Sequence, residues 1–227
     1  MKKSILLLDT ETADLSGSVY DVGYLITDKR GNVAIERNWL VEEIFTDAKK
    51  MMGAFYAKKL FTHYARMLQY GEIELTPWKT IIDTMAADCH QYAVNTIAAY
   101  NLAFDRRVMA NTHKMLGFSG KLPYVALDQL CIWRFACETK LSSATYRLLA
   151  EAQGWVSDAG NLRTGAEHAY RFCRGDWGFI EDHTALSDCR IENEILRDCF
   201  AAKKSVPYNK IRDKYSAQPW RIVNGRV

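Results

Sequence analysis

The chain is poor in punctuation: it has four prolines, no proline- or glycine-rich tract, no internal repeat and no low-complexity segment, so nothing marks a linker between domains. Long apolar runs are missing too. After Met1, Lys2, Lys3 and Ser4 the apolar residues 5–8 stop at Asp9, too short a stretch for an export signal, and nothing elsewhere approaches the length of a membrane span. No membrane partner is therefore expected. The six cysteines (Cys89, Cys131, Cys137, Cys173, Cys189, Cys199) form no C-x-x-C pair and no cluster with histidine, which excludes the usual zinc spacing. They read as reduced thiols, and the expected compartment is the cytoplasm. What remains is ample: 227 residues, 48% hydrophobic, can bury one sizeable core, and a single domain with insertions is expected.

A strong excess of one charge is also lacking, since the net charge is only +3, but its distribution is uneven. Residues 203–227 carry Lys203, Lys204, Lys210, Arg212, Lys214, Arg221 and Arg226 against Asp213 alone, so this tail is +6 and the remainder −3. With Tyr208, Tyr215 and Trp220 it has the composition to follow a phosphate backbone and stack bases. A solvated terminus explains the same composition equally well.

Periodicity gives an α/β reading. The apolar run 5–9 suits a buried strand that ends on a carboxylate. Val19–Thr27 and Val33–Val41 alternate as two further strands, with Asp28-Lys29-Arg30-Gly31-Asn32 as the turn, making an antiparallel meander. Thr76-Pro77 reads as an N-cap and first helical residue, followed by Ile81, Ile82, Met85 and Cys89 on one face. A buried strand is expected at 96–100, a helix at 102–116, a strand at 124–127, and a helix from Asp128 toward Cys137. Helical periodicity resumes at 145–153 and at Ala185–Ala202. The segments 42–75 and 155–180 read as insertions, the second mixing Arg163, Arg171 and Arg174 with aromatics.

Three short stretches hold the residue types of a reaction centre. In Asp9-Thr10-Glu11-Thr12, strand alternation puts Asp9 and Glu11 on one side. Two like charges held that close call for a cation, and oxygen ligands suit Mg²⁺ or Mn²⁺. Asp105, in Asn101-Leu102-Ala103-Phe104-Asp105, opens a helix after a buried strand, where sheets of this kind collect ligands. A helix dipole alone also favours an acid there. His183 and Asp188 flank the start of another helix, five residues apart. Each stretch by itself is also met by solvated surface groups, which for Asp9/Glu11 and for His183/Asp188 is the commoner case.

Together, in order and spacing, the three stretches resemble the DEDD superfamily of 3′-5′ exonucleases, DnaQ-like, in its DEDDh branch. The matching motifs are D-x-E-T at Asp9, Glu11 and Thr12, N-x-x-F-D at Asn101, Phe104 and Asp105, and H-x-A-x-x-D at His183, Ala185 and Asp188. Tyr20-Asp21-Val22-Gly23 and Asp128 agree further, and the likeness spans about residues 4–202. It implies a ribonuclease-H-like mixed sheet, an N-terminal antiparallel meander plus parallel strands, with helices on both faces. It divides the chain into an exonuclease domain at 1–204 and a basic C-terminal tail at 205–227. The implied activity is hydrolysis at the 3′ ends of single-stranded DNA or RNA, releasing nucleoside 5′-monophosphates. Asp9, Glu11, Asp105 and Asp188 would hold two divalent cations, Mg²⁺ or Mn²⁺, and His183 would be the general base. Thr10, Thr12, Leu15, Asn101 and Phe104 would seat the terminal nucleotide, with Leu15 as a wedge. Two positions depart from the pattern: Asp14 stands where many relatives have glycine, and Tyr100 where many have histidine. Monomer and homodimer are both allowed. The competing reading is a nucleic-acid-binding module on the same fold without catalysis; the five intact catalytic-type residues weigh against it.

Overall fold

The fold is described from a computed structural model, which covers residues 4–14, 16–202, 205–210 and 218–225, with backbone alone at 55–61. Leu15 and the tail residues Lys203, Lys204, Arg212, Lys214, Tyr215 and Arg226 lie outside the described residues.

Six strands form one sheet in the order β4-β3-β2-β1-β5-β6. The strands β1 (Ser4–Thr12), β2 (Val19–Thr27) and β3 (Val33–Val41) make the antiparallel meander. Beyond β1, β5 (Val94–Ala99) and β6 (Asp128–Cys131) run parallel to it, and beyond β3 lies the short parallel strand β4 (Glu74–Thr76). A meander continued by parallel strands on one side is a ribonuclease-H-like sheet.

Strand alternation divides the core in two. Leu6, Leu8, Val22, Tyr24 and Ile26 face the layer that holds α3 (Phe55–Gln69), α4 (Trp78–Gln91) and α5 (Leu102–Met115). Ile5, Leu7 and Leu25 face the layer of α6 (Ile132–Thr139), α7 (Ala144–Ala152), α8 (Ala166–Arg174), α9 (Ala185–Ala202) and the short α10 (Trp220–Val223). The sheet is thus covered on both faces, with two more short helices, α1 (Glu42–Phe45) and α2 (Ala48–Gly53), leading into α3.

Two local expectations are corrected. The strand expected at 124–127 lies at Asp128–Cys131, so Asp128 opens a strand and not a helix. Residues 124–127 are turns closed by Val125 N–H to Leu122 O and Leu127 N–H to Tyr124 O, while Leu130 and Cys131 supply the buried strand face. Thr76 is not an N-cap, because it pairs with Val41 at the end of β4. Pro77 takes the N-cap position, and the Glu43 carboxylate accepts the Trp78 N–H in place of a capping side chain.

The described parts of the tail are docked. Asn209 bridges Gln129 and Asp128 on the edge strand β6, Arg134 donates to the Lys210 carbonyl, and Val223 is buried beside α6.

Candidate active site

The centre forms where β1, α5 and α9 meet, and β2 sets its dimensions. On β1, Asp9 and Glu11 share the face turned to α9, and across the ladder they pair with Gly23 and Asp21. Gly23 leaves room for the first turn of α9 to lie on the sheet, since a β-carbon there would come within 2.4 Å of the Leu186 nitrogen. The buried Asp21 carboxylate accepts the Ala185 N–H at 3.0 Å and the Tyr64 hydroxyl at 2.8 Å, fixing the N-terminus of α9 from below. In that position α9 presents Asp188 to Glu11.

His183 precedes this turn with φ 57°, a left-handed conformation that histidine adopts more readily than most residues. Ligand atoms of Glu11, His183 and Asp188 lie within 4.8 Å of one another. His183 Nδ1 is also 3.9 Å from Glu181 Oε2. Asp105 enters from α5, buried, with Thr10 Oγ1 donating to its Oδ1 at 2.9 Å. Thr10 therefore serves as a strut for a carboxylate, a role its sequence position did not suggest.

The electrostatics are those of a cluster with acids and no balancing base among the causes of its shifts. Burial first, then Asp105, Asp188, Asp21 and Glu181, push Asp9 well above the usual carboxylate range. Burial and Asp9 push Glu11 up to about 10, and burial with Glu181 and Glu11 pushes Asp188 to about 9. Burial raises Asp105 to about 7 even though Thr10 pulls it down. Asp188 Oδ1 is buried with no hydrogen-bond partner among the described residues. Four carboxylates, one with an orphaned oxygen, and an imidazole make a donor set that fits hard divalent cations.

The chain is similar to Exonuclease X. The solved structure is described as "Exonuclease X in complex with 5' overhanging duplex DNA"; it shares 18% identity over 87% of this chain and 91% of that chain, with a TM-score of 0.48. No family model matches the chain, and no curated protein matches it.

Five of the expected site residues, Asp9, Glu11, Asp105, His183 and Asp188, are thus brought to one centre. Thr12 ends β1 half-buried, and the Asn101 carbonyl accepts the Phe104 and Asp105 N–H groups to start α5. Phe104 is partly buried beneath the Arg107 guanidinium. Asp14 folds back to accept the Ser16 hydroxyl, the Ser18 hydroxyl and the N–H groups of Ser16 and Gly17, which hold it down to about 2 and close the loop after β1.

Two acids that face the centre escaped sequence reasoning. Glu192, buried one turn after Asp188, accepts the Tyr100 N–H at 3.0 Å and is pushed up by burial and by Asp9 and Asp105. The signal was its i+4 spacing from Asp188 on one helix face. Glu181 is raised to about 7 by burial and Glu167, and its N–H is held by the Glu167 carboxylate.

Proposed function

We propose that the chain is a metal-dependent 3′-to-5′ exonuclease that releases nucleoside 5′-monophosphates from single-stranded DNA or RNA. The observation that carries this reading is the convergence of Asp9, Glu11, Asp105 and Asp188 with His183 from three separate stretches, with only acids and burial among the causes that raise Asp9, Glu11 and Asp188. A surface cluster would disperse such charges into water; here the carboxyls are buried together, and ionising them has a cost that a bound cation would offset.

Asp9, Glu11, Asp105 and Asp188 would hold two cations, Mg²⁺ or Mn²⁺. When bound, such a pair supplies a nucleophilic water at neutral pH and stabilises charge on the leaving 3′ oxygen. His183 is half-buried beside Glu11 and Asp188, where its imidazole can take a proton from that water as general base. Glu181 lies on the Nδ1 side of the ring, 3.9 Å away. Thr10 and the start of α5 keep Asp105 in place as charge builds. Thr12, Asn101 and Phe104, lying next to the ligands, are assigned to the terminal nucleotide, together with Leu15.

The test is direct. A 3′-labelled single strand is incubated with the purified chain in Mg²⁺, Mn²⁺ or EDTA. Label is expected to be lost as mononucleotide only with metal, and not by Asp9→Ala. Metal-independent loss, or equal loss by the variant, would falsify the reading.

A further inference from the structure

On the α6–α8 side of the centre lies a cavity of about 360 Å³ that the five catalytic-type residues do not touch. Its walls include the indoles of Trp133 and Trp220, with Asn161, Arg163, Thr164 and His168. The volume is in the range of small-ligand sites. Its floor is fixed. Trp133 stacks on Tyr100 at 16° and donates its Nε1–H to Thr164 Oγ1 at 2.8 Å, while the Tyr100 hydroxyl donates to the Thr164 carbonyl at 2.6 Å. The Trp220 wall is fixed as well, since Asn224 exchanges hydrogen bonds with both backbone groups of Leu162.

Charge distinguishes this cavity from its neighbours. None of its lining residues is acidic, and the exposed Arg163 side chain has no hydrogen bond or ion pair among the described residues. A second guanidinium, Arg221, lies over the Trp220 ring at 5.6 Å. Two cavities on the β3 side of α9 are lined by acids as well as bases: Glu72 and Asp182 with Arg190 in one, Glu36, Glu72 and Glu74 with Arg37 in the other. Of the three, only the cavity at Arg163 has a basic side chain with no acid in its lining, which suits a phosphodiester better.

The cavity is also wired to the centre. Tyr100 joins Thr164 to Glu192, which faces Asp9 and Asp105. At the start of α8, Glu167 next to His168 holds the N–H of Glu181, beside His183.

We infer that this cavity binds one nucleotide, its base against the indoles of Trp133 and Trp220 and its phosphate at Arg163. Flat indoles stack any base, and an arginine fork with no side-chain partner among the described residues suits a phosphate. His168 and Asn161 add hydrogen-bonding groups for a base edge or sugar. The nucleotide belongs either to the substrate strand, upstream of the 3′ end, or to a free 5′-monophosphate. The first source rests on the exonuclease reading, and the cavity's chemistry fits both.

The experiment is a binding measurement on the full chain in EDTA, so it does not depend on hydrolysis. Fluorescence anisotropy follows a labelled single-stranded octanucleotide, and calorimetry follows adenosine 5′-monophosphate. Arg163→Ala and Trp220→Ala are compared with the parent, each checked by circular dichroism. Arg163 is exposed and only its backbone groups bond Trp155 and Tyr146, so its truncation leaves the fold intact if Trp220→Ala does not. Loss of roughly 5- to 100-fold in octanucleotide affinity is expected, the scale of one stacked base. Matching loss for the free nucleotide assigns the cavity to the monophosphate; loss for the octanucleotide alone assigns it to the strand. Unchanged affinity for both ligands in folded Arg163→Ala, or no nucleotide binding by the parent chain, overturns the inference. Binding that depends on Arg163 in a chain that hydrolyses nothing would sink the exonuclease reading and leave the cavity standing.

Discussion

Gly23 and Leu186 are in backbone contact: a β-carbon on Gly23 would stand 2.4 Å from the Leu186 nitrogen, with the Ala185 carbonyl carbon at 2.5 Å. Neither atom belongs to a flexible side chain, so the first turn of α9 must move if the space is filled. That turn carries Asp188 and follows His183. Gly23→Ala is therefore expected to destabilise the fold by about 1–3 kcal/mol, as overpacking does. It should also cost activity beyond the stability loss, because Asp188 is pushed away from Glu11. Thermal unfolding and metal-dependent hydrolysis at a temperature where both proteins are folded measure the two effects. Full activity in a destabilised variant would show that the contact serves packing only.

How far the sequence revealed this centre depended on whether a residue's role is local. Asp9 and Glu11 were legible because strand alternation alone places them on one side. Gly23 and Asp21 stood in plain view in β2, yet the reason for them lies 164 residues away, at Ala185, and no local pattern carries it. Glu192 was masked because a helix with alternating acids and apolar residues reads as amphipathic, with its acids in water. The meander and the alternation of strands with helices were legible from periodicity, while helices on both faces followed from the family resemblance. The slip at 124–131 came from an apolar pair in a turn, since Tyr124 is buried there without being in a strand.

Tyr64 donates to the Asp21 oxygen that also receives the Ala185 N–H, so the 42–75 segment reaches the centre through one hydroxyl. Burial holds Asp21 at about 6, and its other oxygen has no partner among the described residues, so losing a donor is costly. Tyr64→Phe is expected to lower stability by about 1–3 kcal/mol and to reduce turnover. Tyr24→Phe is the control. It breaks a similar 2.7 Å bond, to Asp88, whose charge is also held by Arg37, and should cost stability with turnover unchanged. Equal effects of both substitutions on turnover would remove the special role of Asp21.

His183 lies within ligand reach of Glu11 and Asp188, so base and ligand roles must be separated by measurement. A base is expected to be dispensable for cation binding. His183→Ala should lower kcat by roughly 10²–10⁴-fold while Mn²⁺ affinity by calorimetry stays within about twofold. His183→Asn tests the backbone, because asparagine also accepts the left-handed turn that His183 adopts at φ 57°. If the alanine variant fails and the asparagine variant works, the residue shapes the turn and does not take the proton.

Without metal, the cluster should make the protein less stable as pH rises. The folded values of Asp105, Asp188 and Glu11, about 7, 9 and 10, lie above the ordinary carboxylate values they regain on unfolding. A raised value means that the folded state holds protons which the unfolded state has released. The stabilisation is complete below about pH 4 and is lost progressively as pH climbs through the folded values. In EDTA, Tm is expected to fall between pH 6 and 9 by the equivalent of at least 1 kcal/mol, about 2–4 °C for a chain of this size. Cations bind the ionised form, so saturating Mn²⁺ should raise Tm more at pH 8 than at pH 6. Comparing the two scans cancels groups remote from the cluster, such as Asp14, whose depressed value acts in the opposite sense. In Asp188→Asn one of the raised carboxyls is gone, and both the pH slope and the gain from Mn²⁺ should shrink. An Mn²⁺ gain that does not depend on pH would place the bound ion away from these carboxylates.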